Sequence, residues 1–257
     1  MNRYKRTVCV SLLLLILTPG AYAGYRASYE ITGTKENGES NVHYEILTFD
    51  DTRFRIDFVD EEGKRTEQSP YIMTPDNGET WYIGDKPDKD FYCSHMKTNE
   101  FFESVGEQAT GAMDFFNVKA EKPVITKVFE KPVDNILGFK ITHLQLETHA
   151  SAHAWILFLK FEYKVKIVDD IFYTSELDVH PIRKKWLEAL TQSGNDLIDT
   201  MYSDYTSKVP GPMVQKETVI EITDLRKKTV KVEKRKAVVT KIDEISAKET
   251  DAAFINP

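Results

Sequence analysis

Three histidines lie close together in the middle of the chain, and closely spaced imidazoles raise the question of metal chemistry. His143, His149 and His153 surround a predicted turn at 150–152. If the flanking strands pair as a hairpin, His149 and His153 stand on either side of the turn, where two imidazoles could bind zinc or copper. His143 is several residues down the strand and does not complete a ligand set. Exposed hairpin histidines more often carry no metal, so no metal site is predicted.

Signatures of catalysis and of calcium binding are missing from the sequence. It contains no G-x-S-x-G, H-E-x-x-H, C-x-x-C, P-loop or G-x-G-x-x-G pattern. The acidic residues Asp85, Asp88 and Asp90 lack the spacing of a calcium loop, and their Gly, Pro and Lys neighbours predict a charged turn. No catalytic residue and no cofactor are therefore predicted, and an enzyme is not the expected class.

One segment concentrates positive charge in an otherwise acidic chain. It contains Arg226, Lys227, Lys228, Lys231, Lys234, Arg235 and Lys236, interrupted by Glu233. Such a run suits anionic lipid headgroups or lipopolysaccharide phosphates. The favoured interpretation is the polar face and turn of a surface hairpin, with Val230 and Val232 pointing inward.

Large apolar side chains predict a hydrophobic binding site. Most of them fill a core, but a strongly curved sheet has more concave surface than two short helices can cover. The uncovered surface is expected to form an apolar cavity or groove. Its candidate lining residues are Phe54, Phe58, Trp81, Phe101, Phe102, Trp155, Leu157, Leu159, Phe161 and Trp186.

Period-two hydrophobicity identifies the elements that must position these side chains. Between 155 and 167, apolar odd-numbered residues alternate with mostly charged ones, which predicts one long strand. Turn residues such as Asn37-Gly38 separate shorter runs and predict an antiparallel meander. The other predicted strands are 25–32, 42–49, 54–58, 70–74, 80–83, 90–94, 124–129, 139–148, 171–177, 214–222, 229–233 and 237–243.

Two segments have helical periodicity. Residues 98–116 carry apolar side chains near i, i+4, i+8 spacing, and Gly106 and Gly111 weaken this helix and favour a mobile element. The second helix is predicted from 183 to 205, with Gly194 as a break. The predicted fold is mainly β (α+β): a large curved antiparallel sheet, or incomplete β-barrel, with two helices covering the concave face.

Composition and the N-terminus predict where the protein works. The chain has 257 residues, 41% hydrophobic and 29% charged, as in a globular protein, and its net charge of -7 disfavours a nucleic-acid partner. Residues 1–23 have the basic start, apolar run and A-x-A site of a signal peptide cleaved after Ala23. We therefore expect an exported single domain, 24–257, with no lipid anchor and no transmembrane segment. Cys93 would be its one thiol, and aromatic neighbours favour its burial.

A series of short motifs follows the predicted signal. They are Tyr25-Arg26-Ala27-Ser28-Tyr29, Phe54-Arg55-Ile56-Asp57, Thr80-Trp81-Tyr82-Ile83, Ile136-Leu137-Gly138-Phe139, Ala154-Trp155, Gly211-Pro212-Met213-Val214 and Phe254-Ile255-Asn256-Pro257. Their order resembles the bacterial lipoprotein-carrier superfamily (LolA/LolB-like), in particular a periplasmic branch known as a domain of unknown function. The resemblance implies an incomplete antiparallel barrel with helices across its mouth. In the carriers, the apolar interior holds lipoprotein acyl chains.

The predicted function is a non-enzymatic, carrier-like periplasmic protein that binds an acyl chain, a lipid or another hydrophobic ligand, with helix 98–116 as its gate. The alternative is an envelope sensor or protein-interaction module with a filled core and an envelope protein as its partner. A cavity along the odd-numbered face of 155–167 would distinguish the two.

Overall fold

The computed structural model describes residues 17–18, 24–34, 38–65, 69–85, 92–115, 117–156 and 159–254. Most of the predicted signal peptide, including its cleavage site at Ala23, lies outside the described residues, so that cleavage stays a prediction. Within the described ranges, no helix is long and apolar enough to cross a membrane.

Most of the strands form one curved antiparallel sheet, which confirms the predicted fold class. The strands are β1 (Leu17–Thr18), β2 (Tyr25–Thr34), β3 (Ser40–Phe49), β4 (Phe54–Val59), β5 (Tyr71–Thr74), β6 (Thr80–Asp85), β7 (Tyr92–Lys97), β8 (Val118–Ala120), β9 (Val124–Ile136), β10 (Phe139–Ile156), β11 (Leu159–Tyr173), β12 (Asp178–Val179), β13 (Met213–Asp224) and β14 (Thr229–Glu244). The 12-stranded sheet has the order β7-β6-β5-β4-β3-β2-β14-β13-β11-β10-β8, and β9 also pairs with β10. Separately, β1 pairs with β12.

Four helices pack against this sheet: α1 (Thr98–Phe115), α2 (Pro181–Leu190), α3 (Asp196–Lys208) and α4 (Ala247–Phe254). The first predicted helix is confirmed as α1. The second is two helices, because Gly194 adopts a φ of 79° and Asn195 then caps α3 through its side-chain oxygen. The sequence interpretation did not include α4.

The helices lie on both sides of the sheet. Alternate residues of β2 are buried from Tyr25 to Ile31, on the face where Ile182 and Trp186 of α2 join the same hydrophobic core. We call this the inner face. On the opposite, outer face, Arg55 of β4 donates to the carbonyl oxygen of Ala253 in α4 at 2.9 Å.

The long strands differ from their predictions around β10 and β11. The predicted turn at 150–152 is wrong, because β10 continues through Ala150, which pairs with Val165. Ala-Ser-Ala lacks turn-forming Gly, Pro or Asn, and its alanines continue the period-two pattern. The predicted strand 155–167 is also divided between β10 and β11, and the predicted strand 171–177 is the end of β11.

The basic segment covers the hairpin turn at 226–228 and the start of β14, which runs without a break through both predicted strands, 229–233 and 237–243. The inward orientation predicted for its valines is wrong: Val230 is 58% exposed and Val232 48% exposed. Val230 pairs with Thr223, and Val232 pairs with Glu221. This register places both valines on the outer face and the alternating charged residues on the inner one.

Cys93 is exposed, which contradicts the predicted burial. It lies in β7, an edge strand that pairs with β6 alone, so no second strand shields it. Its Sγ lies 3.5 Å from the hydroxyl oxygen of Tyr71.

Candidate binding face

An aromatic cluster seals one end of the inner face. The ring centroids of Trp81 and Trp186 are 4.8 Å apart, and the Phe102 ring meets Trp186 edge-on at 5.3 Å. The Phe54 ring packs edge-on against Trp81 with centroids 6.2 Å apart, and the Phe101 ring stacks parallel to Trp186 with centroids 6.5 Å apart. Five of the predicted lining residues therefore contact one another across β4, β6, α1 and α2. All but the half-buried Phe101 are buried, so the cluster fills this end of the sheet and does not line a cavity there.

The start of α1 is tied to this cluster. The indole N–H of Trp81 donates to the Thr98 hydroxyl oxygen at 2.9 Å, and the Thr98 hydroxyl donates to the carbonyl oxygen of Gly78. Further along α1, a Cβ added to Gly106 would lie 2.0 Å from the carbonyl oxygen of Ser193. Glycine thus permits direct contact between α1 and the α2–α3 connection. The N-terminal half of α1 is fixed in place, and Gly106 serves close packing rather than mobility.

The remaining predicted lining residues fall in three groups. Phe58 is half-buried against the core. Leu157 and the side chains of Trp155 and Leu159 lie outside the described residues. Phe161 is half-buried at the other end of the inner face.

That other end carries an apolar strip, formed by Phe161, Tyr163, Val165 and Ile167 of β11 with Ile220 and Ile222 of β13. All six side chains are half-buried. They share the inner face with the core residue Ile171, because they continue its period-two alternation.

The neighbouring strand adds depth to the apolar strip. Small residues of β10 stand beside the larger ones of β11: Ala150 pairs with Val165, and Ala152 pairs with Tyr163. A row of alanines beside a row of large side chains forms a step in the surface. The surface is therefore lower over β10 than over β11.

A buried polar cluster separates the apolar strip from the packed core. The ammonium of Lys216 donates to the Tyr205 hydroxyl oxygen at 2.8 Å and lies 3.1 Å from the Asp169 carboxylate. Burial raises the pKa of Tyr205 to about 12. Burial alone would lower the pKa of Lys216, but Tyr205 and Asp169 together raise it. The cluster keeps its charge and anchors α3 over the sheet at the border of the apolar strip.

The three histidines lie on β10 and are not gathered into one site. His143 Nε2 is 2.7 Å from Asp170 Oδ1, and its ring stacks on Phe172 with centroids 4.3 Å apart. His149 Nε2 is 2.5 Å from Glu147 Oε1. Among the described residues, no group of three or more His, Cys, Asp or Glu side chains is placed to hold a metal ion.

Two cavities elsewhere have charged side chains among their lining residues. One of about 370 Å³ lies on the outer face beside α4; Arg26, Asp57, Arg65 and Glu249 line it together with apolar residues such as Ile46. The other, of about 520 Å³, lies between the start of α1 and α2, with Glu79, Lys97, Glu103 and Lys185 in its lining. Several charged groups in each lining suit an acyl chain poorly, so the apolar strip is the better hydrophobic candidate.

Sequence reasoning identified the β11 side of the apolar strip and missed its β13 side. Phe161, Tyr163, Val165 and Ile167 lie on the predicted apolar face, but their neighbours Ile220 and Ile222 were not identified. Pairing between β11 and β13 joins segments about 50 residues apart, and period-two patterns do not state which strands are neighbours.

Comparisons with known proteins assign no family. No protein-family model matches this chain, and no curated protein matches it. Among solved structures, the chain is similar to PNGF-II with 10% identity and a TM-score of 0.33, over 91% of this chain but only 30% of that one. It is also similar to a LolA superfamily protein from Nitrosomonas europaea with 8% identity and a TM-score of 0.27, over 87% of this chain and 86% of that one. Similarity at this level identifies neither a family nor a ligand.

Proposed function

We propose that this protein is a non-enzymatic binding protein for an acyl chain, a lipid or another hydrophobic ligand, which lies along the apolar strip. The observation that supports this most directly is the half-burial of six large apolar side chains on an inner face that is otherwise covered by helices. A contiguous apolar surface of this kind is typical of an interaction site.

Burial of the ligand supplies the free energy of binding. Removing methylene groups from water contributes about 0.8 kcal/mol each. An acyl chain of about twelve carbons therefore retains several kcal/mol after its ordering cost. The alanines of β10 leave room for such a chain beside the larger side chains of β11.

The end of α1 after Thr110 is the part of the predicted gate that is suited to movement. Thr98 holds the start of the helix, and Gly106 contacts Ser193. The side-chain amide of Asn195 donates to the Thr110 hydroxyl oxygen at 3.0 Å, which also fixes the middle of the helix. The end of α1 leads to β8, which pairs with Ala152 and Ala154 beside the apolar strip. In this proposal, ligand enters beneath the end of α1 while the rest of the helix stays in place.

Replacing Val165 with glutamate tests the binding face. A carboxylate in the middle of the apolar strip should weaken binding of an uncharged fluorescent acyl probe by about tenfold or more, because the charge is desolvated by the ligand. The matched control is Lys164→Glu, which places the same carboxylate one residue away on the outer face. Probe titrations and circular dichroism are measured for both variants.

The control variant should bind the probe within about twofold of the natural chain, since the outer face takes no part in binding. Equal probe affinity in the Val165 variant and the natural chain, with both folded, would reject the apolar strip as the site.

The second candidate function is an interaction module with a filled core. The aromatic cluster favours it, since Phe54 and Trp81 are each 2% exposed and Phe102 is 3% exposed. If the natural chain binds no acyl probe at all, the interior is closed to ligand. The outer surface is then the part of the molecule that contacts a partner. The probe titration therefore separates the two candidates.

We also propose export to the periplasm, supported by the sequence pattern of residues 1–23. N-terminal sequencing of the protein recovered from the periplasmic fraction should begin at Gly24. A retained Met1 would contradict the proposed cleavage.

A further inference from the structure

The hairpin between β13 and β14 ends in a hydrogen-bonded turn next to Phe161, at the end of the apolar strip farthest from the aromatic cluster. Asp224 accepts hydrogen bonds from the backbone N–H groups of Arg226 at 3.0 Å and Lys227 at 2.9 Å. The N–H of Leu225 donates to the carbonyl oxygen of Glu162 in β11 at 3.0 Å. We call residues 225–232 the hairpin tip. The three hydrogen bonds fix the backbone at the start of the hairpin tip, so its side chains point in defined directions.

The hairpin tip presents aliphatic side chains to solvent. Leu225 is 39% exposed, and Val230 and Val232 are 58% and 48% exposed. These are three of the seven large hydrophobic residues that are exposed in the described part of the chain. Three such residues within eight positions form a small apolar surface surrounded by charge, which is typical of an interaction site.

The charge around these side chains is strongly positive. Segment 226–236 carries seven Lys and Arg residues and one Glu in a chain of net charge -7. Arg235 and Lys236 are paired with Glu233 and Glu217. Within the described residues, Lys227, Lys228 and Lys234 form no ion pair, so their charge is available to a partner.

We propose that the hairpin tip docks on the surface of an anionic phospholipid bilayer. Aliphatic side chains would enter the region between headgroups, and the surrounding lysines would contact phosphates. Leucine and valine have no favourable partner on a phosphodiester backbone, so a nucleic acid explains the charge but not the exposed aliphatic residues. The bilayer accounts for both features.

This docking does not depend on ligand binding in the apolar strip. It would, however, bring Phe161 next to the membrane, because the Arg226 guanidinium lies 5.0 Å above the Phe161 ring. Vesicle binding and probe uptake are separate measurements, so either proposal can fail without the other.

Co-sedimentation of the full chain with vesicles tests the proposal. Vesicles of phosphatidylcholine alone are compared with vesicles containing about one-third phosphatidylglycerol, which should bind at least about tenfold more protein. Lys227→Glu with Lys228→Glu should reduce binding to the anionic vesicles by about tenfold. Val230→Ser with Val232→Ser should reduce it by about fivefold while the salt dependence is kept.

The controls use the same substitutions elsewhere. Val124→Ser with Val128→Ser removes two exposed valines from β9, where Val124 is 61% and Val128 51% exposed, and should leave vesicle binding unchanged. Lys248→Glu reverses a charge in the exposed start of α4 and should also have no effect. Equal binding to neutral and anionic vesicles would overturn the proposal. Undiminished binding by either hairpin-tip variant would do the same, and binding to soluble polyanions without vesicle binding would indicate a different partner.

Discussion

At the scale of single residues, His180 shows how one side chain joins two parts of the fold. It caps α2, where its Nδ1 accepts from the backbone N–H of Ile182 at 3.1 Å. Its Nε2 lies 2.5 Å from the carbonyl oxygen of Asp50, to which it donates. Both contacts need the neutral ring with its proton on Nε2. Burial lowers the pKa of His180 below its ordinary value of 6.5.

This lowered pKa predicts a pH-dependent stability. The unfolded chain takes up the proton at higher pH than the folded one. The contribution of neutral His180 is therefore complete above pH 6.5 and is lost as the pH falls toward the folded value. The free energy of unfolding in urea should decrease between about pH 7 and pH 5.

His180→Asn provides the comparison, because Asn can cap a helix but does not titrate. The natural chain should lose more stability than this variant over the same pH range. Parallel pH profiles would exclude His180 as the titrating group.

A second residue-scale prediction concerns the buried ion pair of Arg55 and Asp57. Arg55 is fully buried and Asp57 is 3% exposed, with Arg55 Nη2 2.9 Å from Asp57 Oδ1. Asp57→Asn should lower the free energy of unfolding by about 3–5 kcal/mol, because it removes the charge of a buried carboxylate that both Arg55 and Arg65 contact. The double substitution Arg55→Met and Asp57→Leu should cost only about 1–2 kcal/mol. Chemical denaturation measures the free energy of unfolding of both variants. Equal losses in the two would show that the uncompensated buried charge is not the cause of the destabilisation.

At the scale of elements, the two glycines of α1 have different roles. Gly106→Ala should displace α1 and lower the melting temperature, since its Cβ would lie 2.0 Å from Ser193 backbone oxygen. Gly111→Ala meets nothing within 4 Å and should instead stabilise the helix by up to about 1 kcal/mol. Thermal unfolding of the two variants decides the matter, and a stabilising effect at both sites would contradict the packing role of Gly106.

Elements with strong local signals were predictable. The periodicity of 98–116 and of 183–205, with the break at Gly194, identified three of the four helices in the described part of the chain. By contrast, α4 is only eight residues long, which is too short for its periodicity to stand out in the sequence. It is stabilised by a capping box, in which the Ser246 N–H donates to Glu249 Oε2 at 3.0 Å, and by Arg55. The contact with Arg55 comes from a distant part of the chain and has no local sequence signal.

Strand ends were the least predictable part of the elements. The predicted strands 155–167 and 171–177 left out Asp169 and Asp170, yet β11 continues through both. Asp169 is 4% exposed and is paired there with Lys216. The ion pair with Lys216 allows a charged residue to be buried within a strand. The local sequence pattern does not reveal this pair, because its two members lie far apart in the chain.

At the scale of the whole molecule, the sealed end and the open end should respond differently to ligand. The chain has three tryptophans, and Trp81 and Trp186 are packed together in the sealed end. In a Trp155→Phe variant, binding of the acyl probe should leave tryptophan emission unchanged, because only the end of α1 after Thr110 moves. A spectral shift on saturation would mean that ligand opens the aromatic cluster.

The candidate site could be predicted only in part at this scale. The residue types were right for a hydrophobic surface, but Phe54, Trp81 and Trp186 belong to the filled core. Whether an inner-face residue belongs to the core or to the apolar strip depends on where α2 and α3 lie on the sheet. Sequence periodicity identifies an apolar face, but it does not show which part of that face a helix covers.

The pairing of β2 with β14 has a consequence for the order in which the molecule assembles. These strands come from opposite ends of the chain and meet in the middle of the sheet. Until β14 is in place, β2 and β13 are edges of 10 and 12 residues with unpaired backbone groups. The sheet is therefore completed only when the last strand closes a loop of nearly the whole chain, a slow step that leaves the unfinished protein prone to aggregation.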